Sequence, residues 1–324
     1  MHKRNIFIAP IAFFLASAVS ANDNSMANIN FTGPLLTPNA AALPKGMLNI
    51  EPYLFYTESD SVYDPHGDRH AIVSGSQQWQ MLVPASYGIT DRLTGFLTVG
   101  ASHTSSYGHR SSGAQMTDTT VKLQYMLQAP NADGTRPAIS VAFAHGFATG
   151  AYDRLDANPL NGTGSGASVN TFSFLTQQIF WLPNGRPLRW RTNLAWSPSP
   201  PQIAIDGMSV YGTPKNFHGH AAMGQAVGLS TSFEYSIDQH WVLAMDLRWD
   251  HENGTQLRGV QRYASGDDVV IDRHDPSRWT YSVAPAVQYN FNDRFGLIAG
   301  AQISVAGHNS AAFATPQVAL NMVF

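Results

Sequence analysis

In the stretch "WVLAMDLRWD", Trp241, Leu243, Met245, Leu247 and Trp249 alternate with Val242, Ala244, Asp246, Arg248 and Asp250. Successive side chains of a strand point to opposite faces, so the spacing predicts a β-strand with one unbroken apolar stripe and Trp at both ends. "LRWRTNLAW" repeats the pattern, with Leu188, Trp190, Thr192, Leu194 and Trp196 against Arg189, Arg191, Asn193 and Ala195. In "WTYSVAPAVQY" the stripe is Tyr281, Val283, Pro285, Val287 and Tyr289. Further strands are expected at 47–57, 77–87, 93–103, 117–127, 137–148, 168–181, 223–235, 295–306 and 312–324, although "FSFLTQQIFW" within 168–181 is apolar on both faces.

That makes twelve strands, most near the length of about 9–11 residues that a tilted strand needs to cross hydrocarbon. Their connections alternate in length. Short ones fall at 88–92, 128–136, 182–187, 236–240 and 290–294; long ones fall at 58–76, 104–116, 149–167, 198–222 and 252–277, with a short last one near 307–311. Transmembrane barrels have short periplasmic turns, longer extracellular loops and aromatic girdles at both interfaces. A soluble β-sandwich has the same alternation but no reason to sort its loops by parity. The expected fold is therefore an all-β transmembrane antiparallel barrel of about twelve strands, with both termini in the periplasm.

Three of the short connections share a design. "YGITDRL", "YSIDQHW" and "YNFNDRF" each place a polar turn between Tyr87 and Leu93, Tyr235 and Trp241, or Tyr289 and Phe295. These read as periplasmic hairpin turns whose flanking residues lie on the lipid-facing register. The chain ends in "TPQVALNMVF", where Val318, Leu320, Met322 and Phe324 share a face. This resembles the terminal-strand signature that barrel-assembly machinery reads through the final aromatic, here Phe324; the aromatic usual two residues earlier is replaced by Met322.

Composition fits this reading. Only 13% of residues are charged, aromatics reach 11%, and there is no Cys. The charged share is about half that of an ordinary soluble domain. A net charge of −3 supplies no basic footprint for nucleic acid. Lys3 and Arg4, an apolar run from Ile6 to Ala18 and Val19-Ser20-Ala21 read as a signal peptide over 1–21. Residues 22–46, with three prolines, are a periplasmic lead-in or a plug within the lumen, and 47–324 form the barrel.

Charged side chains are costly on a lipid-facing stripe. Glu51, Asp118, Lys122, Arg189, Arg191, Glu234, Asp246, Arg248 and Asp250 are therefore expected to face the lumen. Their signs are mixed, so they suit either a solute path or mutual pairing in a packed interior. Tyr53, Phe55 and Phe96 are expected to face inward as well.

The entry "FTGPLLTPNAAALPKGMLNIEPYLFY", with Leu43-Pro44-Lys45-Gly46, and the "YGITDRL"-type turns resemble the exported barrel family named for the meta-cleavage pathway of phenol degradation. Its members are described as outer-membrane transporters. The resemblance implies an outer-membrane channel passing small solutes, including apolar or aromatic compounds. It calls for no cofactor. A barrel there is expected to meet outer-membrane lipids, and Asp267, Asp268, Asp272 and Asp275 of loop 252–277 could bridge divalent cations with lipopolysaccharide.

Two alternatives come from other residues. His103 and Ser105, two apart on one strand face, resemble the His-x-Ser pair of the outer-membrane phospholipase family, in which a base activates the serine. That family follows the Ser with Asn-Gly, whereas Ser106-Tyr107 stands here, and no third polar partner is evident. A closed structural or surface-binding barrel is the other alternative. "HGH" sets His218 and His220 on one side of an extended chain, a spacing compatible with a transition metal.

Overall fold

The computed structural model describes Met26 and residues 29–324. The expected leader at 1–21 lies outside the described residues. Among those described, no helix is long and apolar enough to cross a membrane.

Twelve antiparallel strands close on themselves. β1 runs through Leu48–Ile50 and Tyr53–Tyr63, with a break at Pro52. β2 to β6 are Arg69–Gly88, Leu93–Ser106, Thr119–Gln128, Ala138–Phe147 and Val169–Trp181. β7 to β12 are Pro187–Ser197, Ala226–Ser236, Trp241–Glu252, Arg278–Asn290, Phe295–His308 and Ser310–Val323. Each pairs with its neighbours in sequence, and β12 pairs with β1 through Asn49↔Val323 and Leu54↔Val318. Closure removes the sheet edges.

Parity sorts the two faces as the alternation requires. Along β9, Val242, Ala244 and Asp246 are buried inside, while Trp241, Leu243, Met245 and Leu247 are exposed outside. Aromatic residues gather at both ends of this outer belt. Near the short turns, Trp241 meets Tyr289 with ring centroids 4.7 Å apart and Phe295 meets Phe324 at 6.2 Å. Near the long loops, Tyr56 meets Trp79 at 4.8 Å and Phe172 meets Trp196 at 5.9 Å.

The three related turns use one device. A side-chain oxygen, third after the Tyr, accepts from amides further along the turn. Asn292 Oδ1 takes the amides of Arg294 and Phe295 at 2.8 and 2.9 Å, and Asp238 Oδ1 takes those of His240 and Trp241 at 2.8 and 2.7 Å. Thr90 Oγ1 does the same for Arg92 and Leu93 at 3.2 and 3.0 Å. Such side-chain-to-backbone bonds reproduce a turn locally. Burial works against the Asp238 carboxylate, but these amides outweigh it and hold its pKa below the ordinary value.

The long connections differ from expectation. The first was expected to span 58–76, yet β1 continues to Tyr63 and β2 starts at Arg69, leaving a turn at 64–68. There Asp64 Oδ1 accepts from the amides of His66 and Asp68 at 2.7 and 3.0 Å. Within 198–222 and 252–277, the strands Ile203–Asp206, Phe217–Ala222, Gln256–Arg262 and Asp268–His274 form a separate four-stranded sheet. It packs around Phe217, Ile203, Ile205 and Leu257. These strands are only four to seven residues long, too short for alternation to mark them within the long connections.

A charge placed in the middle of the outer belt tests the assignment of faces. Met245→Arg is expected to cost about 2–4 kcal/mol in a bilayer, measured by urea unfolding of vesicle-refolded protein with Trp fluorescence. A change below about 0.5 kcal/mol, the level of an ordinary surface substitution, would show that this face does not meet hydrocarbon.

Candidate functional site

The inner wall is centred on one carboxylate held by two guanidinium groups. Parity in β7 turns Arg189 and Arg191 inward, and register sets Arg189 directly opposite Glu234 of β8. Arg189 donates Nε and Nη2 to Glu234 at 2.6 and 2.7 Å, a bidentate pair. Arg191 Nε lies 3.1 Å from the same carboxylate, close enough for ion pairing but without hydrogen-bond alignment. Gln288 of β10 donates a further bond at 2.7 Å. Glu234 is fully buried, so this closure of its acceptor sites is what makes its charge tolerable.

Asp246 is the second buried carboxylate, and main chain partners it. The amides of Leu35 and Thr37 donate to it at 3.0 Å each, and Thr37 Oγ1 donates at 2.7 Å. Arg191 Nη1 donates to Thr37 O at 3.3 Å. Residues 35–37 are thus held between Asp246 and Arg191.

The rest of 29–45 crosses the barrel interior between two walls. On one side Asn290 donates to Asn30 O at 3.1 Å and accepts from Thr32 Oγ1 at 2.9 Å, and Gly33 N reaches Gln288 at 3.3 Å. The Arg189 guanidinium lies over the Phe31 ring at 4.1 Å. On the other side Gln124 of β4 donates to Asn39 O at 2.9 Å, and Ser140 of β5 donates to Ala40 O at 2.5 Å. Leu43 N then donates to Thr94 of β3 at 2.9 Å, and Lys45 N to Asp91 at 3.1 Å.

Small wall residues leave room for this chain. Leu35 packs on Ala244, Ala284, Ala286, Ile298 and Ala319, with Tyr53 beside them, and Ala40 packs on Ala138, Ala142 and Leu175. Burying a leucine in this way contributes about 2 kcal/mol. Two glycines permit the closest approaches: a Cβ on Gly88 would stand 2.0 Å from Pro44 O, and one on Gly296 would stand 2.0 Å from Thr32 Oγ1.

The remaining expected lumen residues take separate positions. Glu51 accepts from Tyr53 Oη at 3.0 Å, and Tyr53 stacks on Phe55 at 5.5 Å. Arg248 makes a bidentate pair with Asp250 at 2.6 and 2.7 Å. Lys122 Nζ lies 3.7 Å from the Phe96 ring centroid. Asp118, just before β4, accepts from Gly150 N and Ser165 N at 2.9 Å each, so its carboxylate ties down the 149–167 loop.

His103 and Ser105 are not joined. His103 Nδ1 sits 2.7 Å from Ser111 Oγ, and Ser105 Oγ points to Gln77 O at 3.5 Å. Each residue of the pair is directed to a different neighbour, so His103 is not the hydrogen-bond partner of Ser105. His218 and His220 lie on Phe217–Ala222, and His218 Nδ1 is 2.8 Å from Asp206. Among the described residues no three His, Asp or Glu side chains converge to hold a metal ion.

Sequence reasoning about charge missed Thr37, Thr94, Gln124, Ser140, Gln288 and Asn290. They are neutral, so no desolvation argument singled them out. The inward positions of "SVAPAVQYN", namely Ser282, Ala284, Ala286, Gln288 and Asn290, do carry a signal. They are small along the strand and turn to amides at its short-turn end.

No family model matches the chain, and no curated protein matches it. Its fold is similar to that of the COG4313 outer membrane channel from Pseudomonas putida F1, at 16% identity and a TM-score of 0.62, over 88% of this chain and 98% of that one. The Pseudomonas putida toluene transporter TodX is similar at 11% identity and a TM-score of 0.39, over 94% and 98%. The NanC porin is similar at 8% and 0.43, over 84% and 98%. The first of these supports the fold, that of an outer-membrane β-barrel; at such identities the likeness extends no further.

Glu234→Gln should leave two buried guanidinium groups without their shared counter-charge. The expected loss is about 3–5 kcal/mol, measured as the fall in unfolding free energy of vesicle-refolded protein. A loss under about 1 kcal/mol would mean that the two arginines are hydrated rather than held by this carboxylate.

Proposed function

We propose that this chain is a bacterial outer-membrane channel for small solutes, and that residues 29–45 act as a plug in its lumen. The observation that carries the reading is the opposition of its two surfaces. Outside, an apolar belt lies between two sets of aromatic rings; inside, the wall is polar and charged. Water has no use for the first surface, and lipid cannot accommodate the second. A closed barrel is one of only two structures whose backbone groups are satisfied in hydrocarbon.

Further support comes from the parity of the connections. Short turns would face the periplasm with both ends of the barrel chain, and the longer segments with their four-stranded sheet would face outward. Phe324 would then present the terminal strand to the barrel-assembly machinery. The motif resemblance to the phenol-degradation barrels favours small apolar or aromatic compounds as solutes. Tyr53 and Phe55, stacked on the inner wall, would offer such compounds a flat surface once Leu35 leaves its place beside Tyr53. No arrangement of His103 and Ser105 supports hydrolysis.

In this reading passage requires residues 29–37 to leave their wall. The Asp246 carboxylate holds them most directly, with three bonds to Leu35 and Thr37. Asp246→Ala is expected to raise the open probability in planar bilayers several-fold over wild type. The chain has no Cys, so a single Leu35→Cys probe should react with a polar maleimide about tenfold faster in the Asp246→Ala background. Labelling at equal rates with no conductance from either protein would refute the channel reading in favour of a closed structural barrel.

A further inference from the structure

The lumen-facing cations are not treated alike. Arg189 and Arg191 lie 2.6 and 3.1 Å from Glu234, and Arg248 lies 2.6 Å from Asp250. Lys122 is different: among the described residues no carboxylate lies within 4.0 Å of its ammonium group. Its face of β4 is not in doubt, because Val121, Leu123 and Tyr125 are exposed on the outside while Gln124 is buried inside. Register places Phe96 of β3 directly opposite Lys122, and Ala144 of β5 on its other side. The ammonium rests over the Phe96 ring at 3.7 Å.

A ring face is a weak partner for a cation compared with a carboxylate. It attracts the charge through its quadrupole and offers no neutralising anion. The other cations of the β4 and β7–β9 wall, Arg189, Arg191 and Arg248, each face a carboxylate. Among the described residues, Lys122 is thus a lumen-facing cation with no carboxylate partner, held in place by its aromatic support. A passage with low-dielectric walls focuses such a field and raises the local concentration of oppositely charged solute.

We propose that Lys122, supported by Phe96, is a selectivity contact for small organic anions of the carboxylate class. This rests on the channel reading, and it adds a preference that the paired charges alone would not give. The solute carboxylate would accept hydrogen bonds from the Lys122 ammonium, while the short apolar remainder of the solute passes along the alanine-rich walls. Ala144, the register partner of Lys122 on β5, sets only a methyl group beside the ammonium.

Two measurements test it separately from the channel itself. In bilayers under a KCl gradient, wild type should give a reversal potential favouring anions. Lys122→Met should lower the chloride-to-potassium permeability ratio by roughly threefold or more, as expected for removing one unit charge near a pore axis. Lys122→Arg should retain the ratio. Conductance with a ratio indifferent to Lys122→Met would overturn the inference and leave the channel standing. Protection from an amine-reactive reagent, read by mass spectrometry, does not depend on conductance. Butyrate should slow modification of Lys122 several-fold without affecting Lys45 or Lys215, and butylammonium should protect none of them. An unreactive Lys122, or one that butyrate fails to protect, would overturn the proposal whatever the bilayers show.

Discussion

Closure of the sheet by β1 against β12 is the constraint from which the remaining features follow. An open sheet of this kind would leave two rows of backbone donors and acceptors unpaired. Pairing Leu54 with Val318 and Asn49 with Val323 removes both edges and divides every strand into an inner and an outer set. Because the side-chain period is two, a slip of one residue would exchange the sets. Arg189, Arg191, Glu234 and Asp246 would then face outward, and Trp190, Leu194, Leu243 and Met245 would crowd the interior. Register is thus enforced by the large difference in cost between the two faces.

A ring of twelve strands encloses more space than a side-chain-filled barrel of eight. Here that space is reduced by main chain as well as by side chains. Alanine walls receive Leu35 and Ala40, and the bonds of residues 30–43 end on side chains of β3, β4, β5, β7, β9 and β10. The two carboxylates at the centre serve different ends. Glu234 fixes wall to wall, joining β7, β8 and β10, whereas Asp246 fixes wall to segment. A buried ion pair adds little net stability over an apolar replacement, but breaking one partner is severe. Its contribution is position: the Arg191 guanidinium lies 3.1 Å from Glu234 and also donates to Thr37 O, so one side chain links wall and segment.

The barrel was legible because its cause is periodic. Strand number, loop parity, the inward direction of the β7–β9 charges and the three Tyr-flanked turns all follow from alternation and turn chemistry. The extension of β1 and β2 past 57 and 77 was not legible, since "TESDS" is polar on both faces and offers no contrast to read. Residues 29–45 could be read only as a lead-in or a plug, for a related reason. They lie in no ladder, and their partners are scattered from Asp91 to Asn290, so neither local propensity nor period marks them. His103 illustrates the converse error. Two residues at the right spacing suggested a dyad, but spacing fixes only the face, and Ser111 takes the imidazole through a fold-back that the spacing does not encode.

The arrangement of contacts along 29–45 also bears on how this segment could move. Residues 39–46 are tied to β3, β4 and β5 and lead directly into β1, with Gly46 N donating to Gly88 O. Residues 30–37 are tied only to the opposite wall, through Asn290, Gln288, Asp246 and Arg191. Pro38 separates the two groups and has no amide to lose. Release at the Asp246 side therefore frees the outer half while the inner half stays anchored beside β1. Withdrawing the whole segment would instead expose the alanine wall under Ala40 and break the bonds from Ser140 and Gln124 as well. Partial release is the smaller rearrangement, and it widens the lumen along β9 and β10 while leaving the barrel's closing strand undisturbed.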